Sequence, residues 1–152
     1  MRARDLAQPY VAVPPQTDAL AAVRLLVERG LPGLLVVGPD GRAHTLLPAC
    51  DLVRALVPGY IQEDPVLADV IDEPHADHLC RAVAGRRLVD CLPPGRPFLP
   101  TAAADCTAMQ IAELMARTRS PLIAVVEPGA SAPERLLGVI TAAHLLDQLL
   151  RA

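Results

Sequence analysis

The chain has 152 residues, and its composition of 52% hydrophobic and 20% charged residues is that of a globular protein rather than a disordered one. A chain of this length buries about two-thirds of its unfolded surface, so neither a disulfide nor a structural metal is required for stability. The net charge of −3, without an extended basic run, argues against a nucleic-acid partner. With no evident signal peptide and no apolar run near the ~18 residues of a membrane span, we expect a cytoplasmic protein that does not enter a membrane.

The first predicted elements are a short strand and a helix. Residues 10–13 alternate in β-favouring side chains and end at two prolines, which cannot donate to a central ladder. Thr17-Asp18 then supplies an N-cap candidate and an acidic first turn for a helix in which apolar residues recur at helical spacing, and Gly30 is suited to end it. One face of this helix is therefore expected to be buried.

Two strands and a second helix follow. The run 34–37 is apolar without alternation, as in a strand that is covered on both faces. The turn residues at 38–41 predict an antiparallel return strand over 45–47. Pro48 fits the first turn of the next helix, where its missing N–H costs nothing. The predicted order is strand, helix, strand, strand, helix.

The last third of the chain repeats this order. Residues 109–149 echo residues 20–56, with one insertion in the loop between the two strands, where a surface loop tolerates added residues. The second copy is predicted to contain a weak first strand at Phe98-Leu99, a helix from about Asp105 to Arg117, strands around 122–126 and 136–140, and a last helix from Thr141.

The stretch between the two copies is predicted to be ordered rather than a flexible linker. Residues 65–71 and 74–85 are typical of short helices. We therefore divide the chain into a first unit over 1–58, a helical bridge over 59–87 and a second unit over 88–152.

A short motif opens the second helix of each copy: a glycine, two apolar residues, a threonine or serine, two variable residues, and an aspartate or asparagine. It is Gly138-Val139-Ile140-Thr141-Ala142-Ala143-His144 in the second copy, and Thr45-Leu46-Leu47-Pro48-Ala49-Cys50-Asp51 occupies its place in the first. Together with the repeated element order, it resembles the motif of the tandem cystathionine β-synthase (CBS) domain pair, or Bateman module, over nearly the whole chain. The resemblance implies an α/β (α+β) fold of two β-α-β-β-α repeats related by pseudo-two-fold symmetry, with small sheets flanked by helices.

The resemblance also implies ligand sites between the copies, because CBS pairs bind adenosine-containing molecules in that cleft. The motif's aspartate can accept hydrogen bonds from both ribose hydroxyls, and its threonine and the helix start suit a phosphate. Here the first copy keeps Asp51 but has Pro48 at the threonine position, while the second keeps Thr141 but has His144 at the aspartate position. These four residues are the candidate ligand-binding residues. The plain alternative is that Asp51 and Thr141 only cap helices.

The expected ligand is AMP, ADP, ATP or S-adenosylmethionine, and no cofactor is required. Losing one charge-assisted hydrogen bond of about 1.5–3 kcal/mol would weaken a site roughly 10- to 100-fold. Gly33 and Leu122 stand where some nucleotide-binding relatives have a basic residue, which favours a monophosphate or nucleoside over a polyphosphate. A charged His144 would donate to a phosphate near neutral pH, although a histidine in the first turn of an exposed helix is usually just solvated.

No catalytic or metal site is expected. His75 and His78 would share a helix face, with Asp72 or Cys80 as a third ligand, but polar residues at a helix start are ordinarily a charge cluster favoured by the helix dipole. The four cysteines form no CxxC pair. The sequence also has no GxSxG elbow and no phosphate loop, so we expect a protein that is not an enzyme.

The second helix of each copy carries more apolar residues than one buried face requires. They are Leu52, Val53, Leu56 and Val57 in the first copy and Leu145, Leu146, Leu149 and Leu150 in the second. CBS pairs commonly dimerise through these helices, so we expect a homodimer with an isologous interface. Two functions remain open: a regulatory module whose ligand shifts the two copies and is sensed by an unidentified effector protein, or a ligand-free dimeric interaction scaffold with degenerate nucleotide sites.

Overall fold

Two three-stranded sheets lie at the centre of the computed structural model, which describes residues 1–81, 83–92, 99–127 and 134–152. In each sheet the first strand runs parallel to the second, and the second runs antiparallel to the third. The strands are β1 (Ala12–Val13), β2 (Gly33–Val37) and β3 (Ala43–Pro48) in the first sheet, and β4 (Thr101–Ala103), β5 (Leu122–Glu127) and β6 (Arg135–Thr141) in the second. The predicted duplicated α/β fold is confirmed.

Helices flank both sheets. The α-helices are α1 (Ala3–Leu6), α2 (Ala19–Arg29), α3 (Ala49–Leu56), α4 (Gly59–Glu63), α5 (Glu73–Arg81), α6 (Ala108–Thr118) and α7 (Ala142–Arg151), and two 3-10 helices span Pro65–Val70 and Leu88–Cys91. Helices α4 and α5 and the first 3-10 helix lie between the two copies. Among the described residues, none of these helices is long and apolar enough to span a membrane.

The ends of several helices follow from their capping residues. Of the predicted pair Thr17-Asp18, it is Asp18 that caps α2, by accepting a hydrogen bond from the Ala21 N–H, and the first turn itself contains no acidic residue. Gly30 ends the helix at a φ of 59°, as predicted. Helix α6 begins later than predicted, because Thr107 rather than Asp105 is its cap: the Thr107 hydroxyl accepts from the Gln110 N–H, and the Gln110 side chain accepts from the Thr107 N–H.

Two strand predictions and one helix prediction need correction. The first strand of the second copy is not at Phe98-Leu99 but at Thr101–Ala103. The backbone of this segment pairs with β5, and the small side chain of Ala102 is buried in the core. Phe98 lies outside the described residues. In the first copy only Ala12–Val13 of the predicted strand 10–13 pairs with β2. Pro48 is the N-cap of α3 and the last residue of β3, rather than part of the first turn of the helix.

The segments that precede the two sheets cross over, so that each packs against the other half. At the N-terminus, the Ala3 N–H donates to the Cys106 carbonyl at 2.8 Å, and Leu6 is buried in the core of the second half. The segment that precedes the second sheet packs on the first half: the Leu88 N–H donates to the Thr17 carbonyl at 2.8 Å, and Leu88 is buried in the core of the first half. The sequence-based division at 58 and 88 did not anticipate this exchange.

The glycine of the motif has a structural reason in the second copy. The segment that follows α1 runs antiparallel to β6, and Gln8 and Val139 exchange two backbone hydrogen bonds of 3.0 and 2.9 Å. A Cβ at Gly138 would lie 2.6 Å from the Gln8 carbonyl oxygen, closer than real Cβ atoms come to other atoms. Only glycine therefore lets the N-terminal segment lie this close to β6.

Candidate ligand site between the two repeats

A cavity of about 640 Å³ lies where the two halves meet. Its volume is within the ~300–1,000 Å³ range of small-molecule pockets. Its walls come from the segment before β1, from the end of α2 and the turn after it, and from the beginnings of β5 and α7. The lining residues are Gln8, Tyr10, Gly30, Leu31, Pro32, Pro121, Thr141, Ala142 and Ala143. A ligand in this cavity would therefore contact both halves of the chain.

Thr141 brings hydrogen-bonding groups to this cavity. Its hydroxyl accepts a hydrogen bond from the His144 N–H at 3.1 Å, which makes Thr141 the N-cap of α7. The Ala142 N–H is also engaged, because it donates to the Pro121 carbonyl at 2.9 Å. A hydroxyl that accepts one hydrogen bond can still donate another, so the Thr141 side chain can serve both the helix and a ligand.

The other predicted residues lie outside the lining of this cavity. His144 is half-buried in the first turn of α7, and the contact described for it is the backbone cap to Thr141. Pro48 and Asp51 stand at the equivalent start of α3, where Asp51 is half-buried in the first turn and Pro48 provides no side-chain cap. The Ala49 N–H donates to the Pro32 carbonyl at 3.0 Å, as Ala142 does to Pro121 in the second copy. The structure thus sets the two motif copies at two separate helix starts.

Tyr10 and Gln8 line the cavity but were not predicted as site residues. The Tyr10 hydroxyl donates to the Gly33 carbonyl at 2.7 Å, which fixes the ring beside the cavity. Burial raises the pKa of Tyr10 above its ordinary value, and the hydrogen bond to Gly33 partly opposes this rise. An aromatic ring in a chain with only three aromatic residues was the available signal. It was not used, because β-propensity favoured a strand at this position.

The cavity is uncharged. None of the nine residues that line it is Asp, Glu, Lys, Arg or His. A multiply charged phosphate chain would find no cation there to replace its hydration, whereas hydroxyls, an amide and an aromatic ring suit a nucleoside or another largely neutral ligand.

The polar residues at the start of α5 act as a helix cap. The Asp72 carboxylate accepts a hydrogen bond from the His75 N–H at 2.9 Å. Within the ranges that the structure describes, no group of three or more His, Cys, Asp or Glu residues is arranged to hold a metal ion. Asp72 thus has a structural role as the cap of the first turn of α5.

Comparisons with known proteins place the chain among CBS-domain proteins. The family model "CBS domain" matches residues 3–57. The chain is 41% identical to a CBS domain-containing protein of unknown function from Kribbella flavida, with 99% of both chains covered and a TM-score of 0.77. No curated protein matches the sequence.

Two more distant structures share the fold. CBSX2 from Arabidopsis thaliana is 19% identical, with 99% of this chain and 94% of that one covered and a TM-score of 0.73. A structure of CBSX2 in complex with AMP is 18% identical, with 99% and 96% covered and a TM-score of 0.69. At these identities the likeness shows the fold alone.

Proposed function

The chain belongs to the CBS-domain family, whose pairs are regulatory ligand-binding modules, and from this premise we propose that it binds an adenosine-containing small molecule between its repeats and signals to a partner protein. The observation that carries the proposal is the 640 Å³ cavity shared by both halves, with the motif residue Thr141 in its wall. CBSX2 supports the ligand class, since that protein of the same fold binds AMP.

The chemistry of the cavity suits a nucleoside or its monophosphate better than a polyphosphate. The Tyr10 ring offers a flat apolar surface for a base, and Gln8 offers an amide that can both donate and accept. The Thr141 hydroxyl and the start of α7 are suited to a ribose hydroxyl or a single phosphate group. AMP is therefore the first ligand to test, ahead of ADP, ATP and S-adenosylmethionine.

The two motif copies take different roles in this proposal. Thr141 lines the cavity, whereas His144, at the aspartate position of the motif, lies in the first turn of α7 outside the described lining. Asp51 supplies a ribose-binding carboxylate at the start of α3, but Pro48 leaves that site without the hydroxyl and N–H that a phosphate would use. We therefore expect the Thr141 site to be the stronger of the two.

A ligand that contacts both halves can act as a signal. Its binding energy differs between arrangements in which the walls of the cavity are closer together or farther apart, so it shifts the population of these arrangements. A partner protein that recognises one arrangement would then respond to the ligand. In the alternative, a ligand-free scaffold, the partner would bind equally well at any ligand concentration.

We also propose that the protein forms a homodimer through α7. Leu52 and Leu145 point into the monomer core, and Leu56 of α3 is half-buried. Of the apolar residues named on α3, Val53 is exposed, at 58%, whereas Leu146 and Leu150 of α7 are 60% and 88% exposed and lie on the same helix. Pairing two such faces about a two-fold axis would remove this apolar surface from water.

Calorimetric titration with AMP, supported by native mass spectrometry of the fresh protein, tests ligand binding. Thr141→Val should weaken AMP binding about tenfold, because it removes the hydroxyl while keeping the side-chain volume. Thr118→Val is the matched control, since the Thr118 hydroxyl donates to the Leu114 carbonyl within α6 and does not line the cavity. A wild-type protein that binds none of AMP, ADP, ATP and S-adenosylmethionine would favour the scaffold instead.

A further inference from the structure

A second concave surface lies on the first half of the molecule, between α3 and the helices of the bridge. This groove has a volume of about 380 Å³. All of its lining residues are apolar, and they include Val53, Leu56, Val57, Ile61, Ile71 and Ala76. It shares no lining residue with the 640 Å³ cavity, so the proposed ligand site does not account for it.

The surroundings of this groove concentrate negative charge. Residues 59–78 contain six carboxylates and no Lys or Arg, although the whole chain has 17 acidic and 14 basic residues. The remainder of the chain therefore carries 11 acidic residues against 14 basic ones, an excess of three positive charges. The six acidic residues are Glu63, Asp64, Asp69, Asp72, Glu73 and Asp77, all of them exposed.

The carboxylates lie next to the groove and are available to a partner. Asp69, Asp72 and Asp77 each directly follow a residue that lines it, and so does Arg54, so this border carries three negative charges and one positive charge. In the part of the chain that the structure describes, the ion pairs are elsewhere, and none of them involves these acidic residues. An apolar groove bordered by unpaired negative charge is complementary to a helix with one apolar face and flanking Lys or Arg residues.

We propose that this groove binds a basic amphipathic helix of the partner protein. The inference rests on the proposed regulatory function and identifies the surface to which that partner binds. The apolar side chains of such a helix, at i, i+3 or i+4 and i+7, enter the groove, and its basic residues face the carboxylates. Nucleic acid and anionic membrane surfaces are repelled by the same charges.

A second copy of this chain fits the groove less well than a basic helix does. The face of α7 with Leu146, Leu149 and Leu150 carries more exposed large hydrophobic residues than any other described helix, but the charged residues there, Asp147 and Arg151, pair with each other at 2.9 Å. This face therefore brings no net positive charge to the six carboxylates. On α2 only Val27 is such an exposed residue, so that helix offers no comparable apolar face. Charge complementarity thus favours a basic partner over self-association at this groove.

Fluorescence anisotropy with a labelled synthetic helix tests the proposal. The probe has Leu at i, i+3, i+4 and i+7 and Lys elsewhere, and two control helices replace Lys by Glu or Leu by Ser. The full-length variant Asp69→Asn/Asp72→Asn/Asp77→Asn should bind the Leu–Lys probe about tenfold more weakly at low salt. Asparagine still caps α5 at position 72, so the fold is retained.

A matched set of neutralised carboxylates controls for net charge. Glu28→Gln/Glu127→Gln/Glu134→Gln removes three exposed acidic residues outside the bridge and should change affinity less than about twofold. Val53→Ser, at a position 58% exposed, should weaken binding without unfolding the protein. Equal losses in the two triple variants would overturn the proposal, because net charge alone would then explain binding.

Hydrogen exchange locates the bound probe and identifies a competing second copy. The probe should slow exchange of amides in 53–76; slowing elsewhere would overturn the proposal. Without the probe, the same amides should exchange equally fast in the wild type and in Leu150→Asp, a variant that disrupts the exposed apolar face of α7. Faster exchange in Leu150→Asp would mean that a second copy already fills the groove in the wild type. AMP titration of the carboxylate variants should be unchanged, so failure of probe binding and failure of AMP binding are distinguishable.

Discussion

Replacing Gly138 by alanine tests how the N-terminal segment is held against the second half. The new Cβ would lie 2.6 Å from the Gln8 carbonyl oxygen and 3.0 Å from its carbonyl carbon. Both are backbone atoms, so the contact cannot be relieved by a side-chain rotation. The segment has to move away from β6, and the two backbone hydrogen bonds between Gln8 and Val139 are lost or lengthened.

The expected cost can be worked out from these contacts. Two backbone hydrogen bonds contribute about 1 kcal/mol each, and overpacking costs typically ~1–3 kcal/mol. The reduced entropy of the unfolded chain returns about 0.5–1 kcal/mol when glycine is replaced in a strand. Gly138→Ala should therefore lower the free energy of unfolding by about 2–4.5 kcal/mol, a large share of the ~5–15 kcal/mol of a typical domain.

Urea unfolding measures this change. With a slope of ~2–3 kcal/mol per molar, the urea midpoint should fall by about 0.7–2 M. Gly59→Ala is the control, because a Cβ there meets no atom within 4 Å, and it should be neutral or slightly stabilising. Wild-type stability in Gly138→Ala, together with unchanged hydrogen exchange at Val139, would refute the close approach of the N-terminal segment.

Three further predictions concern single side chains. Thr107→Ala should lower the free energy of unfolding by about 1 kcal/mol in the same urea assay, because it removes the hydroxyl that caps α6. Thr107→Ser keeps a hydroxyl and should retain most of the wild-type stability. Equal stability of the two variants would contradict the capping role. Because the pKa of Tyr10 is raised in the folded state, the stability it contributes is fully present below the ordinary tyrosine pKa of 10.0 and is lost as the pH rises through the folded value. The free energy of unfolding of Tyr10→Phe should thus depend less on pH above 10.0 than that of the wild type. Identical slopes of unfolding free energy against pH in the two proteins would count against the raised pKa of Tyr10. The pKa of Cys91 is also raised, mainly by burial of its thiol. Iodoacetamide at pH ~8 should therefore modify the exposed Cys50 before Cys91, which peptide mass mapping would show. Faster modification of Cys91 would contradict its burial.

Periodicity and capping residues were sufficient to predict most of the repeated elements. Strands β2 and β5 are continuous apolar runs because both of their faces are covered, and Asp18 and Gly30 mark the ends of α2 through local hydrogen bonds and backbone conformation. Strand β4 escaped prediction because Thr101–Ala103 has little intrinsic β-propensity and is a strand only through its pairing with β5.

The crossing segments and part of the site depend on contacts between residues far apart in the chain. Nothing local in residues 1–9 indicates that they pack on the second half, where Leu6 becomes buried. The motif predicted Thr141 as a site residue, and Thr141 lines the cavity. Tyr10 and Gln8 were missed because the crossing of their segment, not a pattern around them, brings them to the same cavity.

The segment from Gln8 to Tyr10 joins the two halves at the cavity. Gln8 is bound to β6 of the second half, while the Tyr10 hydroxyl is bound to Gly33 of the first half, and both residues line the cavity. A ligand that displaces this segment therefore perturbs both attachments, which provides a physical route from binding to the relative position of the halves.

A double-mutant cycle in urea tests this connection. Tyr10→Phe removes the hydrogen bond from the segment to Gly33 of the first half, and Gly138→Ala displaces the segment from β6 of the second half. Once one attachment is lost, the other should contribute less to the free energy of unfolding. The destabilisation by the double variant should fall short of the sum by about 0.5–1 kcal/mol. Tyr10→Phe combined with Thr118→Val serves as the control pair, because the Thr118 hydroxyl donates to the Leu114 carbonyl within α6, and the effects of this pair should be additive within about 0.5 kcal/mol. Additivity in both cycles would mean that the two attachments are independent and that the segment does not couple the halves.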